Sequence, residues 1–279
     1  MPTKLKRTAL ALAGLLAVLT STAARGDELA DKGRAIFTKN KQAVVTVQLV
    51  LKNKFSGGGA GASQATESKT DATGTVIDPS GLTVVSLSAT DPSQLLQNMM
   101  SAMSEGDAKF KMESELSDLK ILHEDGTEVP AEVVLRDKDL DLAFIRPKAK
   151  PATPMTAIDL ATGGKAEVLD QLVALNRLGN AAGRSYAAAE ERISAVVLKP
   201  RLFYIPQTSS TPTTLGAPAF TLDGKPLGVF VMRSLKGKGS MNMLNMQPEN
   251  VAGIILPAAE ILKAAQQVPA AADEKKDSH

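Results

Sequence analysis

Cysteine and tryptophan are absent from this chain, histidine occurs only twice, and aromatic residues make up 3% of its 279 positions. The missing cysteine removes disulfides, thiolate metal sites and cysteine nucleophiles together. It does not place the protein in a reducing compartment, because an exported protein can simply lack the residue. The scarcity of rings leaves the core to aliphatic side chains. Imidazole chemistry is confined to His123 and His279. His279 ends a polar tail, and His123 stands at the end of a strand-like run before the turn Glu124-Asp125-Gly126-Thr127, where a structural or solvent-exposed role is expected. With 43% apolar and 22% charged residues the composition is ordinary for a globular protein, so disorder is not the default. The length suits one large domain or two small ones.

The apolar run at residues 8–20, TALALAGLLAVLT, is short for a membrane span. It follows Lys4, Lys6 and Arg7 and precedes the small residues Ser21-Thr22-Ala23-Ala24, the layout of a secretory signal peptide. Export to the periplasm or the extracellular space is expected, with no transmembrane span left after cleavage; an uncleaved anchor is the competing reading. The formal net charge of +2 includes three cations of this segment and none of its acids, so the remainder carries about −1. A near-neutral surface argues against nucleic acid as a partner.

Glu28 to Lys41 carries Leu29, Ile36 and Phe37 among charges and reads as a short amphipathic helix with Asp27 as N-cap. Ala43 to Leu51 is Val-rich and reads as the first core strand, and Phe55 to Thr73, rich in Gly, Ser and Ala, as a mobile loop. Thr73 to Asp78 and Leu82 to Leu87 flank the turn Pro79-Ser80-Gly81 as a hairpin. In the segment 91–114, Leu95, Met99 and Met103 share a face at spacing four, which predicts an inserted helix. Strands are expected at Leu116–Leu122, Val129–Val134, Leu169–Leu175, Tyr186–Val197 and Leu202–Ile205. Ala219 to Leu222 and Pro226 to Val231 form a second hairpin around Asp223-Gly224. A closing strand at Ala252–Pro257 leads into a helix over Ala258–Gln267.

Short strands with a turn about every ten residues indicate two packed antiparallel barrels. The expected organisation is a signal peptide at 1–24, a helical segment at 25–42, a first barrel at 43–146 with the insert 91–114, a linker at 147–168, a second barrel and helix at 169–268 and a disordered tail at 269–279. The fold class is all-β, a double antiparallel Greek-key barrel with short terminal helices.

The stretch Leu215-Gly216-Ala217-Pro218, followed by the Asp223-Gly224 hairpin, resembles the nucleophile loop of trypsin-like serine proteases of the HtrA/Deg type. The hairpin Thr73 to Val85 resembles the one that carries their histidine, Gln207-Thr208 resembles their Gln-Thr-Asp, and Gly253-Ile254-Ile255-Leu256-Pro257 their closing strand. The resemblance covers roughly Ala43 to Gln267, with nothing after it to build a PDZ domain. It implies that the catalytic serine falls on Leu215, the histidine on Ser88 and the aspartate on Asp141, in Asp141-Leu142-Ala143. The former oxyanion loop falls on Thr213 and Gly216, with the loop about two residues shorter than in the family.

Leucine has no lone pair to attack with, and serine is no base near neutral pH. The triad is therefore degenerate, and Asp141 is expected to be structural, accepting backbone N–H bonds at the barrel junction; the matched positions also motivate a bond to Ser88. The resulting expectation is a non-catalytic pseudoprotease that binds a protein or an extended peptide and needs no cofactor; the resemblance also admits a homo-oligomer. An alternative is a serine endopeptidase with a rearranged site using Ser209 or Ser210. Another is an envelope protein binding Cu(I) through the thioethers of Met241, Met243 and Met246, soft ligands that suit that ion; the bland reading is that they pack as apolar side chains.

Overall fold

The computed structural model describes residues 28–56, 64–90, 111–208, 214–234 and 251–270. The signal-peptide, copper-site and C-terminal-tail assignments fall outside these residues, as do Ser209, Ser210 and Thr213.

A helix at 28–40, α1, opens the described chain and passes through a 3₁₀ turn into β1 (Val44–Ser56). Then come β2 (Gln64–Val76), β3 (Thr83–Ser86), the single helical turn α2 (Leu87–Thr90), β4 (Lys111–Leu122), β5 (Glu128–Asp137) and β6 (Leu142–Pro147). These strands close into an antiparallel barrel in the order β1-β2-β3-β6-β5-β4. The second half supplies β7 (Gln171–Arg177), β8 (Tyr186–Val197), β9 (Phe203–Pro206), β10 (Pro218–Thr221), β11 (Pro226–Ser234) and β12 (Val251–Pro257). They close as β10-β11-β12-β9-β8-β7. Helix α3 (Ala258–Ala265) ends the fold. Among the described residues no helix is long and apolar enough to cross a membrane.

The cores are aliphatic, as the shortage of rings requires. Val47, Leu49, Ile121, Leu142 and Ile145 are fully buried in the first barrel, with Phe144 among them. Leu172, Ile193, Tyr204, Leu227, Phe230 and Ile255 fill the second. The larger apolar cluster continues across the junction to Val173, Phe220, Val229, Ile254 and Ile261. The expected linker, 147–168, starts at the last residue of β6 and lies docked on this body: Ile158 and Leu160 are buried, and the Met155 and Ile158 N–H groups donate to Pro79 O and Val76 O at 2.9 Å each.

Further contacts tie the halves together. The Asp71 carboxylate of β2 accepts from Arg184 Nε at 2.7 Å and from Gln48 Nε2 at 3.2 Å. Helix α1, although it leads into the first barrel, packs on the second. Phe37 meets Tyr186 edge-on at 6.4 Å, and the Lys41 ammonium and Arg177 guanidinium stand 5.4 and 4.2 Å from the Tyr186 ring centre.

Three expectations need correction. The loop assigned to 55–73 is strand at both ends: β1 continues to Ser56 and β2 starts at Gln64, paired in register from Val44↔Thr75 to Phe55↔Gln64. The polar segment 64–73 forms strand here because β1 supplies a ladder along its length, and context outweighs intrinsic β-propensity. The proposed insert 91–114 ends early, because residues 111–114 belong to β4 and pair with β1; residues 91–110 lie outside the described residues. Asn53 links the three strands, donating to Ser68 Oγ at 3.0 Å and accepting from Ser114 Oγ at 2.6 Å. Leu169, expected to begin a strand, has φ +74° and is 68% exposed; β7 begins at Gln171.

Ile145 has no exposure and sits centrally in β6. Ile145→Ala should lower unfolding stability by about 2–5 kcal/mol with an unchanged denaturant slope. Urea denaturation checks this, and a loss below about 1 kcal/mol would mean that the barrel collapses around the cavity or is loosely packed.

Candidate functional site

Two of the three positions matched to a protease triad, Ser88 and Asp141, are hydrogen-bonded where the barrels meet, and Gly216, next to the third, lies against Thr73 and Ser86. Asp141 closes the turn between β5 and β6. Asp137 caps that turn, its Oδ1 accepting from the Asp139 and Leu140 N–H groups at 3.0 Å each. Asp141 itself has φ +56°, in the left-handed region that Asp tolerates better than most residues. Its carbonyl accepts from Leu87 N–H at 2.9 Å, which holds α2 against the turn.

The Asp141 carboxylate is 8% exposed and accepts four hydrogen bonds. Oδ1 takes Ser88 N–H at 2.7 Å and Ser88 Oγ–H at 2.6 Å. Oδ2 takes Ser86 Oγ–H at 2.5 Å and Met232 N–H at 2.8 Å. The expected bond from Ser88 is therefore present, together with the expected backbone donors. Three of the donors belong to the first barrel and the fourth to β11 of the second. Burial pushes the Asp141 carboxyl above its ordinary value, and the bonds from Ser86, Ser88 and Met232 oppose the rise.

Sequence reasoning missed Ser86 and Met232. Ser86 carries a signal, a second hydroxyl two residues before Ser88 at the end of a buried strand. Met232 has none, because it acts through its backbone.

The nucleophile position lies on the turn that enters β10. Gly216 has φ +87°, and a Cβ there would fall 2.0 Å from Thr73 O, so only glycine fits. Its N–H donates to Phe230 O at 2.8 Å and its carbonyl accepts from Thr75 Oγ at 2.7 Å. This glycine joins the first barrel's β2 to the second barrel's β11. Leu215 beside it is 4% exposed. His123 lies in the β4–β5 turn, its N–H donating to Thr127 O at 3.0 Å.

The chemistry of this arrangement is limited. Two serine hydroxyls donate to one carboxylate, which is far too weak a base to deprotonate either. The position matched to the nucleophile holds a buried hydrocarbon. Among the described residues no group of three His, Cys, Asp or Glu side chains could hold a metal ion.

Because the native state raises the Asp141 pKa, the folded protein holds that proton more tightly than the unfolded chain. The associated stability is present at low pH and is lost as pH rises through the native pKa. The stability of the wild type relative to Asp141→Asn should therefore increase as pH falls from 7 to 4. Paired thermal melts across that range test this, and the opposite trend would mean that the four donors outweigh desolvation.

Comparison with known proteins agrees with the double-barrel fold. Among solved structures, the Rv3671c protease from M. tuberculosis in its active form is similar at a TM-score of 0.54 and 17% identity, covering 85% of each chain. At that identity the likeness carries the fold alone. No curated protein matches the chain. The trypsin-like peptidase domain matches residues 36–229, from α1 into β11, and the chain belongs to that family.

Proposed function

We propose that this protein is an exported trypsin-like domain that has left catalysis and works by binding a protein or an extended peptide. The observation that carries this reading is the pairing of Ser88 with Asp141 beside a buried Leu215. A working site of this type needs a nucleophile that substrate can reach and a base between it and the acid. Here the acid is saturated by hydroxyl and backbone donors, and no group beside it in the described structure can take a proton from a nucleophile.

Binding by strand addition is favoured by open ladder edges. Strand β2 pairs with β3 only at Thr75 and Val76, and β4 pairs with β5 only from Lys120 to Leu122. Among the described residues the outer edges of β2 over 64–70 and of β4 over 111–116 therefore have no strand partner. Both carry charged side chains such as Lys69 and Glu115. Charge on an edge discourages indiscriminate pairing while leaving the backbone able to accept a chosen strand.

The purified protein should neither react with a fluorophosphonate probe nor digest casein. Labelling mapped to Ser209, Ser210 or any other serine would instead establish a rebuilt active site. Export is tested separately, by fractionating expressing cells and sequencing the N-terminus of the recovered protein. The expected product is periplasmic or secreted and begins near Arg25, whereas a membrane-bound product retaining residues 1–24 would mean an anchor.

A further inference from the structure

The second barrel carries a cleft of about 460 Å³ whose lining includes none of the residues matched to a triad. It lies by the start of β7, the middle of β8 and the far end of β10 from Leu215. We propose that this cleft binds an acidic peptide segment in which a carboxylate neighbours an apolar side chain. The proposal concerns a different surface from the barrel junction and holds whether or not chemistry survives there.

The charges decide the sign of the ligand. Lys165, Arg192 and Lys225 line the cleft together with Asp170 and Asp223. Both acids are engaged within the protein. Asp223 pairs with Lys225 at 2.8 Å and accepts from the Thr221 hydroxyl, and Asp170 accepts from Glu167 N–H at 2.7 Å. The cations retain donors. Lys165 has no hydrogen-bond or ion-pair partner among the described residues, and Arg192 is engaged only through Nη1, which donates to Leu169 O at 3.1 Å. A guanidinium has five donors in a fork that matches a carboxylate.

The apolar component comes from the loop before β7. Val168 and Leu169 are 52% and 68% exposed, and Leu169 lines the cleft at φ +74°, where leucine is strained. The strain is held in place: Leu169 N–H donates to Ile193 O at 2.8 Å and Ile193 N–H returns to Asp170 O at 3.0 Å. A strained leucine fixed in solvent beside Lys165 and the remaining donors of Arg192 suits recognition better than packing. Gly164, also in the lining, comes so near Thr221 and Lys225 that a Cβ would stand 3.1 and 3.2 Å from their side chains. The cleft continues past Gln171 and Arg192 into a second one of about 340 Å³ lined also by Glu190, Glu191, Gln207 and Thr208, so the acid of the ligand belongs in the first cleft and an uncharged or basic continuation in the second. This elongated, polar outline fits an extended chain better than a compact anion. The near-neutral net charge and the acids in the wall disfavour nucleic acid.

The test is a random 12-residue peptide phage library panned on the purified protein, with enriched peptides measured by fluorescence anisotropy. Expected sequences carry Asp or Glu next to Leu, Ile or Phe. Their affinity should fall about tenfold or more with Lys165→Glu combined with Lys225→Glu, both exposed positions, and with Gln replacing the peptide acid. Leu169→Gly should weaken binding while raising Tm, because glycine accepts the positive φ without strain; a merely structural leucine would not give that split. No enrichment, enrichment without acids, or affinity unmoved by these variants would overturn the proposal.

Discussion

One carboxylate holds the meeting point of this molecule. Asp141 gathers Ser86 and Ser88 from the end of the first barrel's β3 and the turn that follows it, and Met232 from the second barrel's β11. A buried ionisable group is costly unless its lone pairs are used, and here four donors use them. The geometry around it follows from that need. The turn adopts a left-handed residue at Asp141, and α2 starts against it because the helix's first N–H groups, which have no partner within a helix, donate to Asp141. Removing this acid would strand donors in both barrels, so its retention requires no catalytic explanation.

The second tie across the junction is steric. Gly216 lies so close to β2 that no side chain fits, and its backbone bonds reach Thr75 in one barrel and Phe230 in the other. Leu215 is carried on the same turn. In a peptidase this neighbour must face substrate; here its 4% exposure places it with the interior. The trypsin-like scaffold is thus intact, and at the positions matched to the triad the described residues pack and hydrogen-bond.

Binding is the role that such a scaffold can retain. Among the described residues the double barrel presents unpaired strand edges on β2 and β4 and, on the second barrel, a cleft where Lys165 stands without a partner near an exposed, strained leucine. Helix α1 adds to the rigidity by clasping Tyr186 of the second barrel before the chain enters the first. Rigid elements lower the entropy lost on association, which favours recognition of a flexible segment.

Much of this was legible in the sequence. Val-rich alternating runs, the Pro79-Ser80-Gly81 and Asp223-Gly224 turns and the order of motifs determined the strands and the double barrel, because period-two patterning and turn chemistry are local properties. That Ser88 is no base and Leu215 no nucleophile was equally plain, since side-chain identity bounds chemistry before any fold is known. Tertiary structure decided the rest. It alone made strand of the polar segment 64–73, because a neighbouring ladder outweighs propensity, and it alone engaged Met232, whose backbone N–H carries no residue code. It also placed Leu169 outside its strand with a positive φ, because Ile193 of a distant strand accepts from Leu169 N–H and donates to Asp170 O, and this pair of bonds overrules what leucine would choose by itself.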